Sequence, residues 1–132
     1  MTSGPERHRA RERALEILYE AAIKGRAARE VLAALPVAPD PYTAELVESA
    51  EVHRERAEDL IAACAIDWSL ERIAVVDRLV MTLAVGEMLL DDAPPRAVIL
   101  DEAVELAKVF STEGSASFVN GVLATLARRL SD

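Results

Sequence analysis

The stretch AVVDRLVMTLAVGEMLL, residues 74–90, carries the decision about fold class. It is strongly apolar, yet its polar and apolar residues do not alternate as a half-buried strand requires. At the helical repeat Val76, Val80, Leu83 and Ala84 fall on one face, with Leu79 close by. The stretch therefore predicts a central helix against which the rest of the chain packs.

Downstream, residues 91–95 read as a turn, and a helix starting at Pro95 or Arg96 runs to Phe110 on Ile99, Ala103, Leu106 and Phe110. Residues 111–115 form a loop. Ser115 is expected to cap a last helix, to Leu130, packed through Val119, Leu123, Leu126 and Leu130. Upstream, Asp67, Trp68 and Ser69 break the chain, and Ser69 is placed to cap a short helix ending at Ile73. Before the break one long helix is predicted over residues 41–65, with Leu46, Val47, Ala50, His53, Ala57, Leu60, Ile61 and Cys64 as its buried stripe. Asp40 and Pro41 supply an N-cap and a first-turn proline. Residues 27–35 read as a short helix stopped by Pro36. Residues 6–23 read as the first helix, with Ala14, Leu18, Ala21 and Ala22 on one face and Gly25 ending it. Strand signals are nearly absent. The prediction is an all-α chain of about seven helices with short links, neighbours in sequence packing as neighbours in space.

At 132 residues the chain fits one domain, residues 1–132, with enough length to build a core without staples. Aromatics make up only 4%, so packing must rely on Leu, Val, Ile and Ala. Cys64 is the single cysteine and reads as a small buried residue, which suits a reducing compartment. No apolar run reaches the roughly 18 residues of a membrane span, and the charged N-terminus has no signal-type apolar stretch behind it. A cytoplasmic protein with no membrane association is expected.

The net charge of −8 argues against general affinity for nucleic acid. Its distribution is more telling. Residues 1–29 hold seven basic side chains (Arg7, Arg9, Arg11, Arg13, Lys24, Arg26, Arg29) against four acids, a net of +3. The remainder holds 8 basic and 19 acidic groups, a net of −11. A basic end on an acidic body offers a polyanion one site and repels it elsewhere.

Enzymatic constellations are missing from the sequence. Neither His8 nor His53 belongs to a cluster of cysteines, histidines and acids at metal-ligand spacing, the five glycines form no phosphate loop, and no serine has a nucleophile-elbow context. No enzyme, metal or cofactor is expected. The alternating arginines at 7, 9, 11 and 13 point around a helix at about 100° per residue, so a fully packed helix would have to bury one. A start that projects or frays is expected, with the guanidinium groups facing phosphates and unpaired bases or serving only as a solubilising terminus. Tyr19 and Phe118 sit at the edges of their helices' apolar faces. Each is either a base-stacking platform or a lid on the rim of the core.

Four segments in order, RHRARERALEILY (7–19), WSLERIAVVDR (68–78), VILDEAVELAKVF (98–110) and SFVNGVL (117–123), resemble the NusB family over nearly the whole chain. The resemblance implies two small helical bundles packed across each other. It also implies binding of boxA RNA in ribosomal RNA leaders with NusE, a ribosomal small-subunit protein, in a complex with RNA polymerase and other Nus factors that suppresses termination. Carried over by position, it implies RNA-binding roles for Arg7, His8, Arg9, Arg11, Arg13, Tyr19 and Phe118. Asp77 would accept hydrogen bonds from base edges, with Arg78 as a basic neighbour, and Glu113, Gly114 and Ser115 would border NusE. Asn120 and Gly121 read as structural, the glycine for close packing. Thr82, Gly86, Gly114 and Ser117 depart from the residues frequent in the family, which makes an RNA affinity dependent on NusE the expectation. Two rivals stand beside this reading. One is the NusB-like domain at the front of ribosomal-RNA cytosine methyltransferases, disfavoured because no methyl-donor fold or catalytic cysteine motif is present. The other is a helical adaptor or homodimer without RNA binding of its own.

Overall fold

A computed structural model describes residues 4–66 and 68–131, apart from the side chain of residue 131. Asp67, part of the expected break, lies outside the described residues. The helices are α1 (Gly4–Lys24), α2 (Ala28–Ala33), α3 (Pro41–Val52), α4 (Arg54–Cys64), α5 (Val75–Met88), α6 (Arg96–Phe110) and α7 (Ser115–Ser131), with a 3-10 turn at Leu70–Arg72. There is no strand among the described residues.

Local signals account for several boundaries. Gly25 adopts φ +63°, a left-handed conformation that favours glycine, and ends α1 while Arg26 N–H donates to the Ala21 carbonyl at 3.0 Å. Asp40 Oδ1 accepts from Tyr42 N–H at 2.8 Å, with Pro41 opening α3. Other expected caps are not made. The Ser69 side chain caps nothing, and Ser115 is itself the first residue of α7, its hydroxyl donating to Asp77.

The long helix expected over residues 41–65 is two helices. His53, at φ −99° and ψ 14°, ends α3 and starts α4. The division follows from what each half covers: α3 packs on α1, α2 and α5, whereas α4 packs on α5 and α7. One straight rod could not face both groups. The core thus has α1, α2 and α3 on one side and α4, α6 and α7 on the other, with α5 touching five of these six.

Helix α5 is more enclosed than its one-sided sequence pattern implies: every residue from Val80 to Met88 is buried. A helix hydrophobic nearly all round belongs inside. Small residues make the enclosure possible. At Gly86 a Cβ would lie 2.9 Å from the Ala50 backbone nitrogen, so α3 and α5 meet backbone to backbone, and Ser49 Oγ donates to the Gly86 carbonyl at 2.7 Å. Three stripe residues fall outside the core: Ala22 and Phe110 are exposed, and His53 is only half-buried at the α3–α4 break.

Candidate nucleic-acid interface

The arginine run is divided by the helical repeat into two pairs, each four residues apart. Arg7 and Arg11 lie on the inward side of α1, Arg9 and Arg13 on the outward side. Helix α1 is exposed at Gly4, Pro5 and Glu6 and packs onto the rest of the chain from Arg7 and His8 onward, with Ala10, Arg11, Ala14 and Leu15 buried. Arg11 is the arginine that is enclosed, at 3% exposure. Its Nε donates to Glu87 Oε1 at 2.8 Å and its Nη2 to Oε2 at 2.7 Å, a forked pair, while Nη1 lies 3.5 Å from Glu102. The Tyr42 hydroxyl donates to the same Glu87 carboxylate. Burial by itself lowers the Arg11 pKa, but the hydrogen bond and charge of Glu87 raise it, with a net upward shift. Burial is also the main reason the Tyr42 phenol is pushed up, so it stays protonated and donates. Arg11, expected among the RNA contacts, is thus enclosed and holds α1 to α5. Glu87 is the residue sequence reasoning missed; its signal was an acid inside an apolar run.

Arg7 is half-buried, its guanidinium 5.0 Å from the centre of the Tyr42 ring, a cation–π contact. Arg9 and Arg13 are exposed and border a cleft of about 290 Å³ with Glu6, Asp40 and Thr43. Arg13 also pairs loosely with Glu16 at 3.7 Å.

His8 bridges α1 and α6, its Nδ1 2.7 Å from Glu102 and its Nε2 3.5 Å from Glu12. The hydrogen bond to Glu102 raises its pKa, helped by the charges of Glu102 and Glu12 against burial and Arg11. A raised folded-state value stabilises the protein fully below the unfolded value of about 6.5, and the gain is lost as pH climbs through the raised value. With the ring 40% exposed, solvent screens the effect and keeps it small. The Tm difference between wild type and His8→Ala is expected to be larger at pH 5.5 than at pH 8.5. Equal differences would remove His8 from the α1–α6 contact.

At the other end of α5 lies a second group. Asp77 is buried, its Oδ1 accepting from Ser111 at 2.5 Å and its Oδ2 from Ser115 at 2.9 Å. Both carboxylate oxygens accept from serine hydroxyls and so tie the start of α5 to the α6–α7 loop. Ser115, 5% exposed, belongs to this clamp and not to an open partner surface, while Glu113 and Gly114 are exposed. Gly114 takes φ +92° in the loop.

Phe118 is half-buried and meets Trp68 edge-on, with centroids 6.1 Å apart and planes at 66°. Trp68, not singled out from the sequence as a site residue, is 49% exposed. The two rings line a cleft of about 310 Å³ together with Arg72, Ile73 and Asp77. Tyr19 is 43% exposed. Arg78, half-buried, lines a different and larger groove of about 710 Å³ beside Arg26 and Arg54. Thr82 is buried and donates to the Arg78 carbonyl at 2.8 Å. Asn120 and Gly121 face outward, and nothing lies within 4 Å of a Cβ built on Gly121, so close packing inside the chain is not its role.

Glu87 and Asp77 are ten residues apart on α5, about 15 Å of helix rise. The arginine end and the aromatic cleft are thus separate places along the molecule. Among the described residues no helix is long and apolar enough to cross a membrane.

The order and spacing of these features match a known family, since the model of the NusB family covers residues 8–128. The chain belongs to the NusB family. It is 44% identical over 127 residues to the transcription antitermination protein NusB of Streptomyces griseus, covering 89% of each chain. It is 44% identical over 128 residues to the NusB of Saccharopolyspora erythraea, covering 92% of this chain and 86% of that one. Among solved structures, NusB of T. maritima superposes with a TM-score of 0.82 at 29% identity, covering 97% of this chain and 93% of that one. A crystal structure of the antitermination factors NusB and NusE in complex with double-stranded RNA superposes at 0.80 with 25% identity, covering 96% and 99%. The NusB fold of two helical groups across a shared helix is therefore the architecture of this chain, and Arg7 lies one residue before the family match begins.

Proposed function

We propose that this NusB-family chain is a non-enzymatic transcription antitermination factor. It binds boxA-type single-stranded RNA in ribosomal RNA leader transcripts together with NusE, and it supports processive transcription by RNA polymerase with other Nus factors. One domain spans the chain and acts in the cytoplasm. The observation that carries the reading is the pair Arg9 and Arg13, exposed on one side of the basic helix of a chain whose remaining residues are strongly acidic. Relatives at 44% identity are antitermination proteins, and a structural neighbour is a NusB bound to NusE and RNA.

In this reading Arg9 and Arg13 neutralise phosphates, with Arg7 and His8 flanking them. Tyr19 and Phe118 offer faces to bases, Arg78 adds positive charge, and Glu113 with Gly114 borders NusE. Arg11 serves RNA binding only by holding α1 in place.

The test is the retention of a boxA RNA across a salt series, with and without NusE, and with the same sequence as a duplex. Each phosphate contact on a single strand contributes about 0.7 to the slope of log K against log salt, so Arg9→Ala with Arg13→Ala should flatten the slope by about 1.4. An unchanged slope removes the arginines from the interface. Preference for the duplex removes the single-strand claim. A chain that sediments as an intact dimer and retains no RNA would establish the adaptor in its place.

A further inference from the structure

Trp68 is the chain's only tryptophan and stands 49% exposed between α4 and α5. Aromatic side chains of this size normally contribute most when buried, and the indole N–H seeks a partner when enclosed. Here the ring is held at the wall of a cleft. Phe118 meets it edge to face at 66°, so the two rings do not stack in parallel, and Trp68 keeps about half of its surface exposed. Ile73, buried, adds an apolar surface. Arg72 borders the same cleft, is exposed, and makes no ion pair among the described residues. Asp77, the acid facing the cleft from α5, is bound by two serine hydroxyls, and Glu113 is the other acid at its edge.

An aromatic-walled cleft lined also by an exposed guanidinium fits a nucleotide: the base stacks on an aromatic face and the phosphate meets the cation. We propose that Trp68, Phe118 and Arg72 form a slot for one unpaired nucleobase of the bound RNA, with Trp68 as the stacking face. The inference rests on the RNA-binding reading above and extends it. The slot lies near the Asp77 end of α5, about 15 Å of helix rise from the Glu87 end where α1 begins. The RNA accordingly follows a track along the molecule, and the nucleotide held at Trp68 is a different one from those whose phosphates meet Arg9 and Arg13.

Trp68 supplies its own reporter, because all tryptophan emission comes from the slot. The full chain is titrated with a single-stranded boxA RNA dodecamer, alone and then with tryptophan-free NusE, while binding is followed in parallel by filter retention. Saturable quenching with the same midpoint as retention is expected. Trp68→Ala should weaken retention about tenfold, and Trp68→Phe, which keeps an aromatic face, should retain most of the affinity. Arg72→Gln should flatten the salt slope by about 0.7. Helical circular dichroism of each variant must match wild type, and the phenylalanine variant serves if the alanine one does not fold. RNA that binds without changing the emission overturns the slot and leaves the antitermination reading standing, as does undiminished binding by folded Trp68→Ala. Quenching by NusE alone, with no further change on adding RNA, also overturns it and assigns the cleft to a protein side chain. No retention of RNA under any condition overturns both readings.

Discussion

Glu87→Ala is expected to cost about 3–5 kcal/mol of folding stability, the range for removing one partner of a buried ion pair. The loss has three parts. The Arg11 guanidinium, 3% exposed, keeps only Glu102 at 3.5 Å. The Tyr42 hydroxyl loses its acceptor. A void opens near the C-terminal end of the most enclosed helix. A buried pair is nevertheless a weak net stabiliser against apolar groups of similar volume, because two charges have been taken out of water. The triple replacement Arg11→Met, Tyr42→Phe and Glu87→Met should therefore recover much of the loss. Urea unfolding of the three proteins decides the matter. A single-site cost below about 1 kcal/mol, typical of exposed pairs, would place the Arg11–Glu87 pair in solvent. The same experiment bears on the proposed function, in which Arg11 serves RNA binding only by holding α1 in place. The folded triple variant should bind RNA with the wild-type salt slope, and a flatter slope would return Arg11 to the interface.

Gly86→Ala provides the second large effect, with a sign opposite to helix propensity. Alanine is favoured over glycine inside a helix by about 1 kcal/mol. At residue 86 the added Cβ would lie 2.9 Å from the Ala50 nitrogen and 3.0 Å from its Cα, and neither backbone atom can swing aside. Separating α3 from α5 would also stretch the 2.7 Å bond from Ser49 to the Gly86 carbonyl. Overpacking of this kind costs about 1–3 kcal/mol, so after the propensity gain the net expectation is a loss of up to about 2 kcal/mol. Gly121→Ala is the matched control: it too is helical, but open space surrounds its Cβ, and it should gain up to about 1 kcal/mol. Thermal unfolding of both variants reads the pair. A stabilising Gly86→Ala would mean that α3 and α5 do not meet backbone to backbone.

What residues 74–90 established by themselves is a central helix, and the periodic apolar residues on either side placed the other helices, because burial of one face at a fixed repeat is a local pattern. Gly25, Asp40 and Pro41 marked their boundaries for the same reason, each acting within a turn of its own position. Four ordered motifs also sufficed for the family. Which arginine pair turns inward was local information, since Arg7 and Arg11 continue the Ala14, Leu18 and Ala21 face at helical spacing and Arg9 and Arg13 do not; the countercharge was not, because Glu87 lies 76 residues beyond Arg11. Asp77 likewise looked like a free acid until the α6–α7 loop brought Ser111 and Ser115 to it. The break at His53 arises from two sets of partners for one amphipathic segment, and the Trp68–Phe118 cleft from residues 50 positions apart. Side-chain periodicity states which residues share a face; only the packed partners decide whether that face meets water, a countercharge or another helix.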